Sequence, residues 1–387
     1  MFKLKINQVV RKWSLKQTLV ILMEIFSIFL SGVAYSASDQ ILNSLFFQNP
    51  AELSVVHKMQ LIGGSLYVVP TFKYTGTSFS KQGKAVSQAN DALPYILTSY
   101  RFTDQFVLGI NITPSGYGHL EWPLDSIVAN ASTTTKLLYY RAGLQASYQF
   151  TDNLALGVGL NLQYNKIAEL DSMIPGRGNQ INKVSARNYI ADAGLFYKIN
   201  TRNFITAAIY SSVHRPGYGT STLGSTVVNN LSMTLTDPLV TYVGFQHNIT
   251  DKWFLEEKLY WSGWALAKNL DMVNTATGSH ILPLNWKNAW SIQFTTRYAI
   301  TEKLALLNSL IYETNPGSFS TNAIGYPLAA SGAISAGLDI SLIKELSAQI
   351  IYSYGGFLQN SPINDINSAG NIKAHFQAAV LQFTYKV

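Results

Sequence analysis

The amino-acid sequence predicts an all-β fold, a transmembrane antiparallel β-barrel of about 14 strands with a short N-terminal hatch. Three features of the 387 residues lead to this prediction. Only 13% of the residues are charged although 47% are hydrophobic, whereas an average soluble domain is roughly 25% charged. Long segments alternate between large apolar and small polar residues, and a short polar turn recurs six times along the chain.

The alternation is clearest in residues 154–164, LALGVGLNLQY. Successive residues of a strand point to opposite faces, so one face here carries Leu, Val and Tyr and the other carries Ala, Gly, Asn and Gln. The second face is small and uncharged, as expected of an enclosed surface. We therefore expect the large apolar face to contact lipid and the small polar face to line the lumen. Residues 106–113 and 381–385 repeat the pattern.

Two segments are predicted before the barrel. Residues 1–36 have the features of a signal peptide, namely a basic stretch, an apolar run, and the small residues Ala34 and Ser36 before the expected cleavage. The alternative is a signal anchor that stays in the inner membrane. Residues 37–57 lack strand alternation and are predicted to form the hatch, and residues 58–387 are predicted to form the barrel.

Composition excludes several classes of function. Without residues 1–36 the formal net charge falls from +7 to +3, because five basic residues and one acidic residue are lost. No cluster of Lys and Arg then remains to bind nucleic acid. Cysteine is absent, which excludes disulfides and thiolate metal sites. We expect no cofactor.

The strand count follows from the turns. Six short polar turns lie at 102–106, 150–154, 199–204, 249–254, 300–304 and 342–347. Seven longer stretches rich in Gly, Ser, Asn and Pro lie at about 75–91, 116–133, 170–184, 215–235, 272–283, 315–328 and 359–371. Together they connect 14 predicted strands, at 58–74, 92–102, 106–116, 134–150, 154–169, 185–199, 203–214, 236–249, 253–271, 284–300, 303–314, 329–343, 346–358 and 372–387.

An even number of strands, with short turns at one end and long loops at the other, is typical of bacterial outer-membrane barrels. Both chain ends then lie on the side of the short turns. The alternative fold is a secreted β-sandwich, which would need more charge on its outer faces.

Residues 46–56, FFQNPAELSVV, resemble the hatch region of the FadL-type outer-membrane family, which moves long-chain fatty acids and aromatic hydrocarbons. The residues that carry this match are Asn49, Pro50 and Ala51. Further similarity follows in the same order as the strand count, at 67–78, 104–118, 260–264 and 284–316. The resemblance runs from about residue 40 to residue 387 and implies a 14-strand barrel with an N-terminal hatch. The family hatch has more residues before this motif than remain here after the predicted cleavage.

The resemblance also implies a route for the ligand, from a hydrophobic groove to an internal pocket and then sideways through a gap at a kink in the third strand. The residues at that position are Pro114, Ser115, Gly116, Tyr117 and Gly118. The proline has no N–H to donate to a neighbouring strand, and the glycines permit unusual backbone angles. The alternative interpretation is that these five residues simply begin a loop.

A fatty acid needs a long apolar tunnel and one cation for its carboxylate. Alternation in the tenth strand, with Trp286 and Trp290 outward, directs Lys287 into the lumen, and the resemblance places a ligand-binding basic residue there. Alternation in the fourth strand directs Arg141 inward. Lys166 resembles a second basic position of the family. Alternation in the fifth strand directs its side chain outward unless the strand bends.

These three cations are the candidate substrate-binding residues. The alternative for each is a charge in the lumen that is paired with an inward acid such as Asp192 or Glu256. For Arg297, which also points inward by parity, such an ion pair is the favoured interpretation.

Three classes of function remain open. The favoured class is passive outer-membrane transport of hydrophobic compounds, above all long-chain fatty acids, with lateral release at the third strand. The others are a general diffusion porin, which the low charge disfavours, and a structural or adhesive surface barrel. Catalysis is not expected, because the six histidines are scattered and form no catalytic or metal-binding motif. We expect a monomer in the bacterial outer membrane, with a hydrophobic small molecule and membrane lipid as its partners.

Overall fold

The computed structural model describes residues 49–318 and 321–387, with the side chains of residues 166 and 167 left out. Fourteen of its strands form a closed antiparallel barrel, which confirms the predicted fold. The barrel strands are β1 (Met59–Ser78), β3 (Asp91–Arg101), β4 (Phe106–Glu121), β5 (Thr134–Thr151), β6 (Leu154–Ile174), β7 (Gly178–Lys198), β8 (Asn203–Tyr210), β11 (Val240–Thr250), β12 (Trp253–Ser262), β15 (Ala289–Ala299), β16 (Leu304–Glu313), β17 (Ser331–Ser341), β18 (Leu346–Phe357) and β20 (Ser368–Lys386). They follow one another around the barrel in this order, and β20 pairs with β1 to close it.

Each predicted strand overlaps one barrel strand, but several segments predicted as loops contain further strands. These are β2 (Lys81–Gln88), β9 (Val213–Leu223), β10 (Thr226–Asp237), β13 (Asn269–Thr275), β14 (Gly278–Pro283) and β19 (Ser361–Asn364). Several barrel strands are long, since β1, β6, β7 and β20 have 19 to 21 residues and about 9–11 suffice to cross a bilayer. Their surplus length projects beyond the long-loop end of the barrel, where β2 pairs with β1, β9 with β7 and β19 with β20.

The barrel wall has the predicted orientation of its two faces. On β6, Val158 and Leu160 are 63% and 58% exposed, whereas Asn161 and Gln163 are 0% and 3% exposed. This is the reverse of a soluble sheet, because the large apolar side chains lie outside and the amides lie inside. Near the short turns, Phe102, Phe150 and Trp253 are exposed as an interface girdle requires. Phe204, which also lies beside a short turn, instead stacks on Phe196 with ring centroids 5.4 Å apart.

Two apolar clusters lie at the long-loop end. One includes Phe72, Trp122 and Phe357, and the other includes Met233 and Leu270. They cover the central space of the barrel from that side. The described helices are the 3-10 helices Pro50–Val55 and Trp264–Leu266. Among the described residues, no helix is long and apolar enough to cross a membrane.

Candidate functional site

The N-terminal motif lies inside the barrel, near the short turns. Asn49 precedes the helix Pro50–Val55, and its side-chain oxygen accepts a hydrogen bond from the N–H of Ala51 at 2.9 Å. Its Nδ2 atom donates to the backbone oxygens of Leu195 and Ala207 at 2.8 and 2.9 Å, and to Thr206 Oγ1 at 2.8 Å. Asn49 is fully buried. One amide therefore caps the helix and attaches it to β7 and β8.

Glycines in the wall make room for this motif. A Cβ atom at position 157 would overlap the backbone of Pro50 and Ala51, and one at position 194 would overlap the side chain of Asn49. Gly157 on the small face of β6 and Gly194 on β7 therefore provide the space in which the hatch docks. The predicted signal peptide and the first part of the predicted hatch, up to residue 48, lie outside the described residues.

Polar and apolar contacts attach the rest of this segment. Glu52 Oε1 accepts a hydrogen bond from Thr206 Oγ1 at 2.6 Å. Arg101 Nε donates to the backbone oxygen of Val56 at 2.7 Å, and Leu53 and Val56 pack on Val107. The helix thus contacts the wall from β3 to β8 and fills that side of the lumen near the short turns.

A cavity lies in the barrel between the hatch and the long-loop end. It contains about 1170 Å³ of space not filled by protein atoms, part of it open to solvent. Its wall includes Tyr139, Tyr210, Leu235, Trp264 and Trp286. We call this space the central cavity.

A second space adjoins the central cavity toward the long-loop end. It contains about 580 Å³ of space not filled by protein atoms, part of it open to solvent, and shares Leu137, Tyr139, Arg215, Leu235 and Trp286 with the central cavity. The rest of its lining is mainly apolar, with Met233, Leu270 and Leu284 among the side chains. We call it the apolar antechamber. The two spaces form a largely apolar volume interrupted by a few polar side chains, which is the usual composition of a small-molecule site.

Two buried arginines line the central cavity. Arg141 is 4% exposed on β5, and its guanidinium carbon lies 5.7 Å from the centre of the Tyr210 ring. Arg215 is also 4% exposed and forms an ion pair with Asp237. Its guanidinium carbon lies 3.9 Å from the centre of the Tyr139 ring. The cavity therefore combines apolar walls with guanidinium groups that can bind a carboxylate in a two-pronged geometry.

The wall beside Arg141 is irregular. The pairing between β4 and β5 places Thr113 opposite Arg141, is regular as far as Pro114, and shifts by one residue between Pro114 and Gly116. Ser115 is the extra residue, and it lines the central cavity together with Gly116 and Tyr117. A register shift therefore lies at the position of the predicted kink, inside a strand that continues to Glu121.

The pairing between β3 and β4 ends at the same level. Its last pair is Ile96 with Ile112. Beyond it, residues 91–95 of β3 pair only with β1, and residues 113–121 of β4 pair with β5. The barrel wall thus has a break in its backbone hydrogen bonding beside the central cavity.

The three predicted substrate-binding cations lie in different surroundings. Arg141 faces the lumen, as predicted. Lys166 lies in β6 where the pairing with β5 and β7 shifts, so the bend that its parity required is present, but its side chain is outside the described residues. Lys287 is exposed and does not line the central cavity.

The alternation argument that directed Lys287 into the lumen is wrong because residues 284–288 do not form a strand. Asn285 has a φ of 45°, and β15 begins only at Ala289. The two-residue period holds only in extended backbone, so it cannot be carried back across Asn285. Trp286, which parity placed in lipid, lines the central cavity instead. Arg297 is paired with an acid as favoured, since its Nε donates to Asp339 Oδ2 at 2.9 Å.

Sequence reasoning missed Arg215. It lies at the start of a segment predicted as a loop, and it reaches the cavity only because β9 and β10 pair and place it opposite Leu235. No local signal in the sequence indicates that burial. Within residues 49–318 and 321–387, no group of three His, Asp or Glu side chains could hold a metal ion.

Comparison with known families agrees with this architecture. Residues 25–387 match the family model described as outer membrane protein transport protein (OMPP1/FadL/TodX). The chain belongs to this family. Among curated members of the FadL family, the long-chain fatty acid transport protein of Escherichia coli K12 is 22% identical over an alignment 383 positions long that covers 84% of each chain.

Solved structures of the FadL family share the fold. The crystal structure of a Pseudomonas aeruginosa FadL homologue has a TM-score of 0.77 at 17% identity and covers 88% of this chain and 93% of its own. The toluene transporter TodX of Pseudomonas putida has a TM-score of 0.70 at 16% identity, with the same two coverages. At these identities the likeness concerns the fold alone.

Proposed function

We propose that this protein is a passive outer-membrane transporter of hydrophobic carboxylates, with long-chain fatty acids as its main substrates. The observation that carries the proposal is the central cavity, in which a guanidinium lies among apolar and aromatic side chains beside a break in the wall. The curated relatives that are named for long-chain fatty acid transport support the same substrate class. The protein acts as a monomeric transporter and not as an enzyme, and it needs no cofactor.

The path begins at the apolar antechamber, whose lining accepts an acyl chain. The chain then enters the central cavity, where Arg141 receives the carboxylate. Arg141 lies opposite Thr113 on β4, directly before the Pro114–Gly116 shift, so the bound head group is already at the level of the break. The ligand leaves sideways between β3 and β4. The hatch occupies the lumen on the side of β3 to β8 near the short turns, and both chain ends lie on the periplasmic side.

Arg141 is favoured over Arg215 as the carboxylate ligand. Both arginines already have partners, Arg215 in Asp237 and the Tyr139 ring and Arg141 in the Tyr210 ring and the charge of Asp192, so the choice between them rests on position. Arg141 lies nearer the break, beside Gln163, whose Nε2 atom donates to Ser115 Oγ at 3.4 Å. Lys287 is not part of this proposal.

The test is equilibrium binding of a labelled long-chain fatty acid to the purified full chain. Replacing Arg141 with glutamine is expected to weaken binding by about 1.5–3 kcal/mol, or roughly 10- to 150-fold, because a charge-assisted hydrogen bond to the carboxylate is lost. Arg141→Lys keeps the positive charge but not the planar guanidinium that can bind both carboxylate oxygens, and a smaller loss of affinity is expected. Lys287→Gln removes an exposed cation and serves as the matched control, with unchanged affinity.

The methyl ester of the same acid separates a carboxylate contact from a structural effect. Ester affinity is expected to be the same for the native chain and for Arg141→Gln. An equal loss for acid and ester would contradict the assigned role of Arg141. Tight toluene binding without preference for the acid would favour a neutral aromatic substrate, as the name of TodX suggests for that neighbour. No saturable binding, with steady ion conductance in a planar bilayer, would favour a porin.

A further inference from the structure

The break in the wall between β3 and β4 is bounded at both ends. On the side of the short turns, the backbone pairing of Ile96 with Ile112 ends it. On the side of the long loops, side chains connect the two strands although their backbones do not pair. Asp91, the first residue of β3, is the acceptor of these connections. Its backbone is held in place by the pairing of β3 with β1, in which Asp91 lies opposite Val68.

Three side chains converge on the Asp91 carboxylate. Tyr117 Oη donates to Oδ2 at 2.9 Å, and His119 Nδ1 lies 2.6 Å from the same oxygen. Lys136 Nζ donates to Oδ1 at 2.7 Å. Tyr117 and His119 belong to β4 and Lys136 to β5, so every one of these contacts crosses the break. We call Asp91, Tyr117, His119 and Lys136 the latch cluster.

The latch cluster is shielded from solvent. The side chains of Asp91, His119 and Lys136 are 13%, 8% and 20% exposed, and Tyr117 is 3% exposed. Charge-assisted hydrogen bonds in such surroundings are stronger than those at an open surface. The cluster is therefore a firm connection between two strand ends that lack a backbone ladder.

Tyr117 connects this cluster to the central cavity. Its ring packs with Leu93, Tyr95 and Leu97 across the break, and the same residue lines the cavity. Its hydroxyl is bonded to Asp91. Displacing the Tyr117 ring would open a passage from the cavity through the wall, and the bond to Asp91 opposes that displacement.

We infer that the latch cluster holds the break closed above the β4 bulge, and that Asp91 thereby limits the width of the ligand that can leave through the wall. The inference rests on the proposed lateral exit and adds the residues that set its size. A slim unbranched chain needs only a small displacement of Tyr117, whereas a bulky group requires the bonds to Asp91 to break.

The chain contains no cysteine, so a single engineered cysteine reports on the opening. Ser115→Cys places a thiol in the bulge, and a maleimide attached to a phospholipid acyl chain reaches it only through the wall. Asp91→Ala in this background is expected to label about five- to tenfold faster, because the shielded hydrogen bonds that oppose local opening are removed. Tyr117→Phe removes one hydroxyl and keeps the ring, and an intermediate rate is expected.

Three controls make the result specific. Asp152→Ala removes an exposed acid from a short turn and is expected to leave the labelling rate unchanged. Ile110→Cys places a thiol on the lipid-facing side of β4. The lipid-attached maleimide is expected to label it at the same rate with and without the Asp91 and Tyr117 substitutions. A water-soluble maleimide is expected to label Ser115→Cys at similar rates with or without Asp91, since the lumen side is unchanged. Thermal unfolding of each variant establishes that the barrel has formed.

Equal lipid-side labelling in the Asp91→Ala, Tyr117→Phe and native backgrounds would overturn the inference. Labelling does not require a substrate, so it is independent of the binding experiment on Arg141. Faster labelling together with absent fatty-acid binding would support the latch and contradict the proposed substrate. In reconstituted vesicles, Asp91→Ala is expected to raise the transport of a fatty acid with a bulky terminal ring relative to a straight-chain acid.

Discussion

Replacing Gly157 with alanine is expected to displace the hatch and open the lumen near the short turns. The added methyl group would overlap the backbone of Pro50 and Ala51, and backbone cannot move aside as a flexible side chain does. Overpacking of this kind costs about 1–3 kcal/mol. Because β6 remains paired with β5 and β7, the strain is relieved by moving the helix Pro50–Val55 away from the wall.

Ion conductance of single channels in a planar bilayer measures this displacement. Gly157→Ala is expected to conduct more than the native chain, and Asn49→Ala is expected to do the same, since it leaves the buried oxygens of Leu195 and Ala207 without their donor. Gly63→Ala is the matched control, because a Cβ atom there has open space around it. Equal conductance in all four proteins would contradict a hatch that is held by the fit of Gly157.

Introducing a charge on the outer face of β6 is expected to have the second large effect. Leu160 is 58% exposed and lies six residues beyond the start of β6, which places it in the middle part of the apolar band. Arginine at the bilayer midplane costs about 2–4 kcal/mol in such barrels. The same change on a surface that faces water would alter stability by about 0.5 kcal/mol or less.

Folding equilibrium in lipid vesicles with denaturant measures the effect of Leu160→Arg. Leu160→Met is the control, because it keeps the surface apolar and is expected to change stability little. A third variant, Leu342→Arg, places the charge at an exposed position in a short turn, where a cost near zero is expected. A small cost at both Leu160 and Leu342 would contradict the assignment of the outer face to lipid.

The strand pattern was predictable because strand periodicity is local. Each short turn lies beside alternating residues, and a two-residue period reveals the faces without knowledge of the partner strand. The same argument was correct for Arg141 and failed for Lys287 for one reason. Arg141 lies within continuous extended backbone, whereas Asn285, with a φ of 45°, separates Lys287 from the strand that carried the pattern.

The site was predictable only in part, because its members are distant in the sequence. The local features of the kink were visible in Pro114 and Gly116. Arg215 enters the cavity through the pairing of β9 with β10. Asp91 meets His119 only because β3 and β4 remain adjacent after their ladder has ended.

The sequence by itself determined the barrel, its strand count and the orientation of its wall, since these depend on alternation, composition and turn residues that are read locally. Only the tertiary structure decided why Gly157 is small, which arginines line the cavity and what closes the break beside Pro114. The physical reason is register. Pairing between strands brings together residues that are far apart in the sequence, such as Gln60 and Lys386, and these contacts have no periodic signal along the chain.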